Sequence, residues 1–176
     1  MKNNQKIFYV DTDRCMNCRA CEVACKMEQN LPAGPRYLVV TETEVTREDR
    51  DHCEFFPMNC MHCGNPPCAK VCPVNAITKR MEDGVVVVDQ SKCIGCRVCL
   101  WACPFGAPQV GINGKMEKCN LCLHSLVEGA LPACARACCG EAIKVGTMEE
   151  IIAYVREKYA QSCQKKLSYI RDVFSD

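Results

Sequence analysis

The sequence predicts an α+β fold of two interleaved modules of like design, followed by a C-terminal helical extension. Three observations predict it. Sixteen of the 19 cysteines in 176 residues fall into four evenly built sets. Two segments, IFYVDTDRC and VVVVDQSKC, repeat one pattern: an apolar strand, then Asp11 or Asp89, then a basic residue (Arg14 or Lys92) before the first cysteine of a set. Between the second and third sets lies AITKRMEDGVVVVD, two apolar runs around an Asp83–Gly84 turn, which is a hairpin signal.

The first set is Cys15, Cys18, Cys21 and Cys25, and the second is Cys60, Cys63, Cys68 and Cys72. The third is Cys93, Cys96, Cys99 and Cys103, and the fourth is Cys119, Cys122, Cys134 and Cys138. Sets one and three have the C-x2-C-x2-C-x3-C spacing that holds cubane iron–sulfur clusters, and set three ends in Cys-Pro. Two-residue gaps wrap a loop around one cluster. The three-residue gap opens a short helix that carries the fourth thiolate toward a neighbouring cluster. Sixteen thiolates therefore supply four 4Fe–4S clusters with crossed fourth ligands. Tetrahedral zinc has no place for a third cysteine two residues after each pair.

The repeats continue after the cysteines. CPVNAI and CCGEAI set Ala76–Ile77 and Ala142–Ile143 at matching distances from Cys72 and Cys138. The hairpin signal joins sets two and three into an inner module and leaves sets one and four to pair around it. The predicted boundaries are 1–50 plus 105–146 for the outer module, 51–104 for the inner module and 147–176 for the helix. Four clusters follow. The first is held by Cys15, Cys18, Cys21 and Cys138, and the second by Cys25, Cys119, Cys122 and Cys134. The third is held by Cys60, Cys63, Cys68 and Cys103, and the fourth by Cys72, Cys93, Cys96 and Cys99. Cys139 rivals Cys138, and the three-residue gap from Cys134 favours Cys138.

Between the modules, residues 31–52 read as an insertion, with PRYLVVTETEV a strand and TREDRD a polar turn. At the end, Thr147 and Glu150 form a capping box. Ile151, Ile152, Val155, Tyr159, Cys163, Leu167, Ile170 and Phe174 then draw one stripe along a helix. The helix either folds back on its own domain or docks on another subunit, and the stripe also admits self-association.

Composition narrows function. Hydrophobic residues make up 48% of the chain, but that figure includes the 19 cysteines, and only 5 Phe, 5 Tyr and 1 Trp are present. A core that thin calls for inorganic cross-linking. A formal charge of +1 offers no polycationic surface for nucleic acid. No apolar run is long enough for direct membrane insertion. MKNNQKIFYVDTDRC has neither a secretory signal nor a twin-arginine pair, so a cytoplasmic location is expected, where many cysteines mean metal rather than disulfides. Export alongside a signal-bearing partner gives the same sequence. Radical chemistry with S-adenosylmethionine needs C-x3-C-x2-C, but Glu28, Asn75, Gly106 and Glu141 stand where its third cysteine would be. No G-x-G-x-x-G marks a nicotinamide or flavin site.

The run from Cys15 to Ile143, above all KCIGCRVCLWACPFGAPQV and KCNLC, resembles the four-cluster, ferredoxin-like beta subunits of the dimethyl sulfoxide reductase family of molybdenum and tungsten oxidoreductases. Its length is also similar to the small electron-transfer subunits of formate dehydrogenase–hydrogenase and tungsten aldehyde oxidoreductase complexes. The resemblance implies a non-catalytic subunit that relays single electrons. Its expected partners are a molybdenum- or tungsten-pterin catalytic subunit and a second redox subunit, namely a hydrogenase, a flavin or NAD subunit, or a membrane anchor. A free-standing polyferredoxin and a hydrogenase-linked subunit remain alternatives. Cys139 departs from the family, which has proline there. Trp101 occupies a spacer position rather than replacing a ligand, so no three-iron cluster is expected.

Arg19, Lys26, Lys70, Lys92, Arg97 and Lys118 lie near ligands and would raise cluster potentials, although each taken singly reads as a solvated charge. His52, His62 and His124 read as structural or surface residues, and Cys53 and Cys163 as small apolar ones.

Overall fold

The computed structural model describes residues 4–47 and 50–173. The described residues form four two-stranded antiparallel ribbons, six α-helices and a short 3-10 helix (Thr12–Arg14), a mixed helix-and-strand fold. β1 (Ile7–Val10) pairs with β8 (Ile143–Gly146), so the two ends of the cysteine-bearing region meet in one ribbon. β4 (Ile77–Lys79) pairs with β5 (Val86–Val88) across the expected turn, where Gly84 takes φ +73°. The repeated aspartates close these ribbons in the same way. The Asp11 amide donates to Ala142 O, and the Asp89 amide donates to Ala76 O.

Short helices follow the loops. α1 (Ala20–Glu28) packs against α5 (Ala133–Arg136), and α2 (Pro67–Lys70) against α3 (Val98–Ala102). α4 (Leu123–Val127) lies between the CNLC loop and α5. Two small cores result. One gathers Cys21, Cys25, Leu38, Val40, Cys134 and Ile143, and the other Cys68, Ile77, Val86, Cys99 and Met116. Cysteines contribute to both, as the thin apolar composition requires.

The insertion differs from its sequence reading. β2 (Val39–Arg47) is the expected strand, but its partner β3 (Arg50–Met58) runs well beyond His52. DHCEFFPM lacks clean alternation, and only the long register opposite β2 makes it a strand. The boundary drawn between 50 and 51 therefore falls inside β3 rather than between elements. β6 (Gln109–Val110) and β7 (Met116–Glu117) form a further ribbon too short to leave a sequence pattern.

α6 (Met148–Val173) opens with the predicted capping box: Glu150 N–H donates to Thr147 Oγ1 at 3.3 Å, and Thr147 N–H to Glu150 Oε2 at 2.7 Å. Its first half folds back on the outer ribbon. Ile151 is buried, and Tyr154 meets Tyr9 edge-on with ring centroids 5.9 Å apart. Farther along, Tyr159, Cys163 and Leu167 are exposed. The Ile170 side chain and all of Phe174 lie outside the described residues. Among those described, no helix is long and apolar enough to cross a membrane.

Candidate metal centres

All four loops share one backbone device. The residue before the second cysteine of each set has a left-handed conformation: Asn17 (φ 55°), His62 (φ 44°), Gly95 (φ 70°) and Leu121 (φ 56°). Only one of the four is glycine, and holding the others there costs about 1 kcal/mol or more apiece, so their surroundings must fix them. His62 is fixed by burial and by the Val86 N–H, which donates to its Nδ1 at 2.9 Å. Gly95 has no alternative, because a Cβ there would stand 2.7 Å from Gly114 O. In sets one and three, Arg19 and Arg97 repeat the left-handed turn (φ 57° and 64°) at the start of α1 and α3.

The last cysteines are also treated alike. Ala76 N–H donates to Cys72 Sγ at 3.2 Å and Ala142 N–H to Cys138 Sγ at 3.1 Å, behind Asn75 and Glu141, each at φ 51°. Further donors reach sulfur from Met116 N to Cys93 (3.5 Å), Leu121 N to Cys119 (3.3 Å), Asn59 Nδ2 to Cys119 (3.7 Å) and Gln29 Nε2 to Cys122 (3.5 Å). Such bonds favour thiolate over thiol and tune a metal held by the sulfur.

The structure gathers eight of the sixteen cysteines around two cavities. Cys60, Cys63, Cys68 and Cys103 line one cavity with Pro66, Pro67 and Phe105. Cys72, Cys93, Cys96 and Cys99 line a second with Ile77, Ile94 and Met116. Each cavity thus takes three cysteines from one loop and one from the other. In the outer part, burial pushes the Cys25 thiol up to about 12, helped by the negative charge of Cys119 and Cys122 beside it. Cys134 is likewise raised by burial and by Cys119, Cys25 and Cys122. Cys21 is pushed up to about 11 by burial and then by Cys138. Cys15 and Cys138 pack on the same core as Cys21.

Burial also lifts Cys99 and Cys119 to about 11. Thiols crowded so that each resists ionisation beside the next are sites that only a cationic partner relieves. The donors are sulfur alone and every cysteine is free. Among the described residues, no three of His, Cys, Asp and Glu converge closely enough to hold a single ion. Thiols ringed around a space suit a multi-iron cluster, and the residues present fit one.

The rival pair differs in burial. Cys139 is exposed, with its Sγ 3.5 Å from Cys18 Sγ and 3.8 Å from Met16 Sδ, whereas Cys138 is part-buried and faces Cys21. Of the remaining histidines, His124 Nε2 bonds Glu28 at 2.8 Å, and His52 lies exposed on β3 with Cys53. Trp101 is 92% exposed beside the third set. Lys118 departs most from its sequence reading. It is buried, and no local signal separates it from the solvated lysines around it.

Two protein-family descriptions match the chain, both of 4Fe–4S dicluster domains, over residues 51–148 and 14–76. The formate dehydrogenase iron–sulfur subunit of Wolinella succinogenes is 38% identical, covering 86% of each chain. A tetrathionate reductase subunit of Salmonella typhimurium is 40% identical over 80% of this chain and 57% of its own length. A subunit of the anaerobic dimethyl sulfoxide reductase of Escherichia coli is 38% identical over 82% and 74%.

Proposed function

This chain belongs to the four-cluster iron–sulfur subunits of the dimethyl sulfoxide reductase family, a family of electron-transfer rather than catalytic subunits, and from that premise we propose how its residues do the work. The first cluster is held by Cys15, Cys18, Cys21 and Cys138, and the second by Cys25, Cys119, Cys122 and Cys134. The third is held by Cys60, Cys63, Cys68 and Cys103, and the fourth by Cys72, Cys93, Cys96 and Cys99. One observation carries this reading: each of the two cysteine-lined cavities mixes three sulfurs of one loop with one of the other. The modules interleave, with the β1–β8 ribbon enclosing the sequence of the inner hairpin.

When bound, the clusters supply one-electron transfer. The chain's own residues do the rest. Left-handed turns shape the loops, peptide N–H groups steady the ligating sulfurs, and Pro66, Pro67, Phe105, Ile77 and Met116 insulate the inner pair from water. The partner proposed at one end is a catalytic subunit with a molybdenum or tungsten pterin, and at the other a second redox subunit. The test is elemental analysis of whatever co-purifies anaerobically with the full chain. Molybdenum or tungsten with about sixteen irons per chain supports the reading. Iron on a lone chain favours a free polyferredoxin, and zinc in place of iron overturns the ligand sets.

A further inference from the structure

Six basic residues lie near ligands in sequence, but one differs physically from the rest. Lys118 is only 5% exposed. Its Nζ donates to Val86 O and, at 2.9 Å, to Cys119 O, both carbonyls. No carboxylate pairs with it among the described residues. By contrast, Lys92 and Asp89 form an open surface pair at 3.3 Å. A buried ammonium facing only carbonyl dipoles is expensive unless a full negative charge stands nearby.

The surroundings supply candidates for that charge. Lys118 lines the cavity ringed by Cys60, Cys63, Cys68 and Cys103. On the inner side it faces the cavity that Cys68 shares, and on the outer side its Nζ is bonded to the carbonyl of Cys119. It therefore sits at the boundary between the two modules. Val86 is gripped from both sides here, its carbonyl by Lys118 and its N–H by His62 Nδ1. With Nδ1 accepting, the neutral His62 ring carries its proton on Nε2, which is buried and has no protein partner. Lys79 braces the same loop through His62 O (3.2 Å), Cys63 O (3.1 Å) and Gly84 O (2.8 Å). The ammonium is thus held in place by groups that cannot neutralise it.

We propose that Lys118 is a positioning residue for electrons: its buried charge raises the potentials of the two clusters that meet at the module boundary, most of all the one held by Cys60, Cys63, Cys68 and Cys103. This rests on the ligand sets proposed above. Reduction adds a negative charge to a site that already bears about −2, and a fixed cation in a low-dielectric boundary favours the reduced state. Solvated charges such as Lys92 are screened and do much less.

The experiment compares the full chain, purified anaerobically with its clusters, as wild type, Lys118→Met, Lys118→Arg and Lys92→Met. Iron per chain is measured first, then each reduction step by potentiometric titration followed by electron paramagnetic resonance. The expected result is about sixteen irons throughout. In Lys118→Met, one or two steps should move to lower potential by at least tenfold in the reduction equilibrium, about 59 mV for one electron. The most shifted step should be the one altered by Cys68→Ser, with Lys118→Arg and Lys92→Met close to wild type. Four unmoved steps, or four moved equally, overturn the proposal. Iron lost from every Lys118 variant, arginine included, also overturns it, because the lysine then serves assembly. A wild-type chain without four cluster steps instead refutes the ligand sets, which separates the two failures.

Discussion

Lys158→Met should release the first half of α6 from the outer ribbon. The Asp11 side chain is fully buried and is held by Tyr154 OH at 2.7 Å and Lys158 Nζ at 2.5 Å. Lys158 also reaches the exposed Asp13 at 2.6 Å. Removing one partner from a buried pair costs about 3–5 kcal/mol because a desolvated charge is left behind. Lys158 keeps 28% of its side chain in water and Tyr154 would remain bonded, so about 2 kcal/mol is the expected loss. That corresponds to roughly 30-fold faster opening-limited hydrogen exchange in residues 148–160 of the holoprotein, with the inner ribbon unchanged.

The sign of its pH dependence follows from both partners. Burial alone would raise the Asp11 pKa, but the bonds from Lys158 and Tyr154 outweigh it and the net shift is downward. Lys158 is shifted upward, first by its bond to Asp11 and then by that to Asp13. The carboxylate's contribution is therefore present above its unfolded pKa and lost only as pH falls through the lower folded value. The lysine's contribution is complete below its unfolded pKa and is lost as pH rises through the higher folded one. Protection of α6 should be flat between about pH 4 and pH 10. An α6 that exchanges at the wild-type rate in Lys158→Met would refute the buried pair as its anchor.

Other substitutions address the loops and caps. Gly95→Ala should cost about 2 kcal/mol or more and lower iron retention on dilution, since it adds a left-handed penalty to a 2.7 Å clash with Gly114 O; Gly106→Ala, at φ +61° with open space around it, should keep its iron. Cys72→Ser should alter the resonance that Cys96→Ser alters and leave the one sensitive to Cys60→Ser intact, whereas uncrossed ligation predicts the reverse. Thr147→Ala removes the Oγ1 acceptor of the capping box and should cost about 1 kcal/mol, seen as faster exchange at the first turn of α6. Glu28→Gln weakens contacts from α1 to His124, Ser125 and Arg136, so faster iron loss from the outer module is the expected readout.

Spacing made the cysteine loops legible because cysteines two or three residues apart in sequence must also be close in space. The same held for the β4–β5 hairpin, whose turn and β-branched strand are local. What escaped the sequence was decided at a distance. β3 is a strand because β2 lies opposite it, not because DHCEFFPM alternates. Lys118 precedes Cys119 much as Lys92 precedes Cys93, yet only Lys118 is folded under another ribbon, against Val86. Composition could not separate two lysines in the same local setting. Cys138 and Cys139 are adjacent and alike in sequence, and what differs between them is burial: Cys138 is part-buried beside Cys21, whereas Cys139 is exposed beside Cys18.

The repeated aspartates show how copies of one motif diverge through burial. Asp89 remains at the surface, where its carboxylate accepts from Ser91 N (2.9 Å) and Ser91 Oγ (2.6 Å) and pairs with Lys92. Those bonds, Ser91 foremost, hold its pKa down to about 2. Asp11 has the same place after its strand and makes the same backbone bond, but Thr12 and Asp13 replace Gln90 and Ser91. Its carboxylate is satisfied by Tyr154 and Lys158, more than 140 positions away in sequence. The inner copy therefore completes its turn with its own neighbours, whereas the outer copy depends on α6 to do so. A chain cut before Met148 would leave Asp11 exposed to water or unpaired while Asp89 kept every partner. Truncation should then loosen the β1–β8 ribbon and the loops beside it selectively, and the asymmetry of iron loss between those loops and the ones beside the β4–β5 ribbon measures how far α6 completes the β1–β8 ribbon.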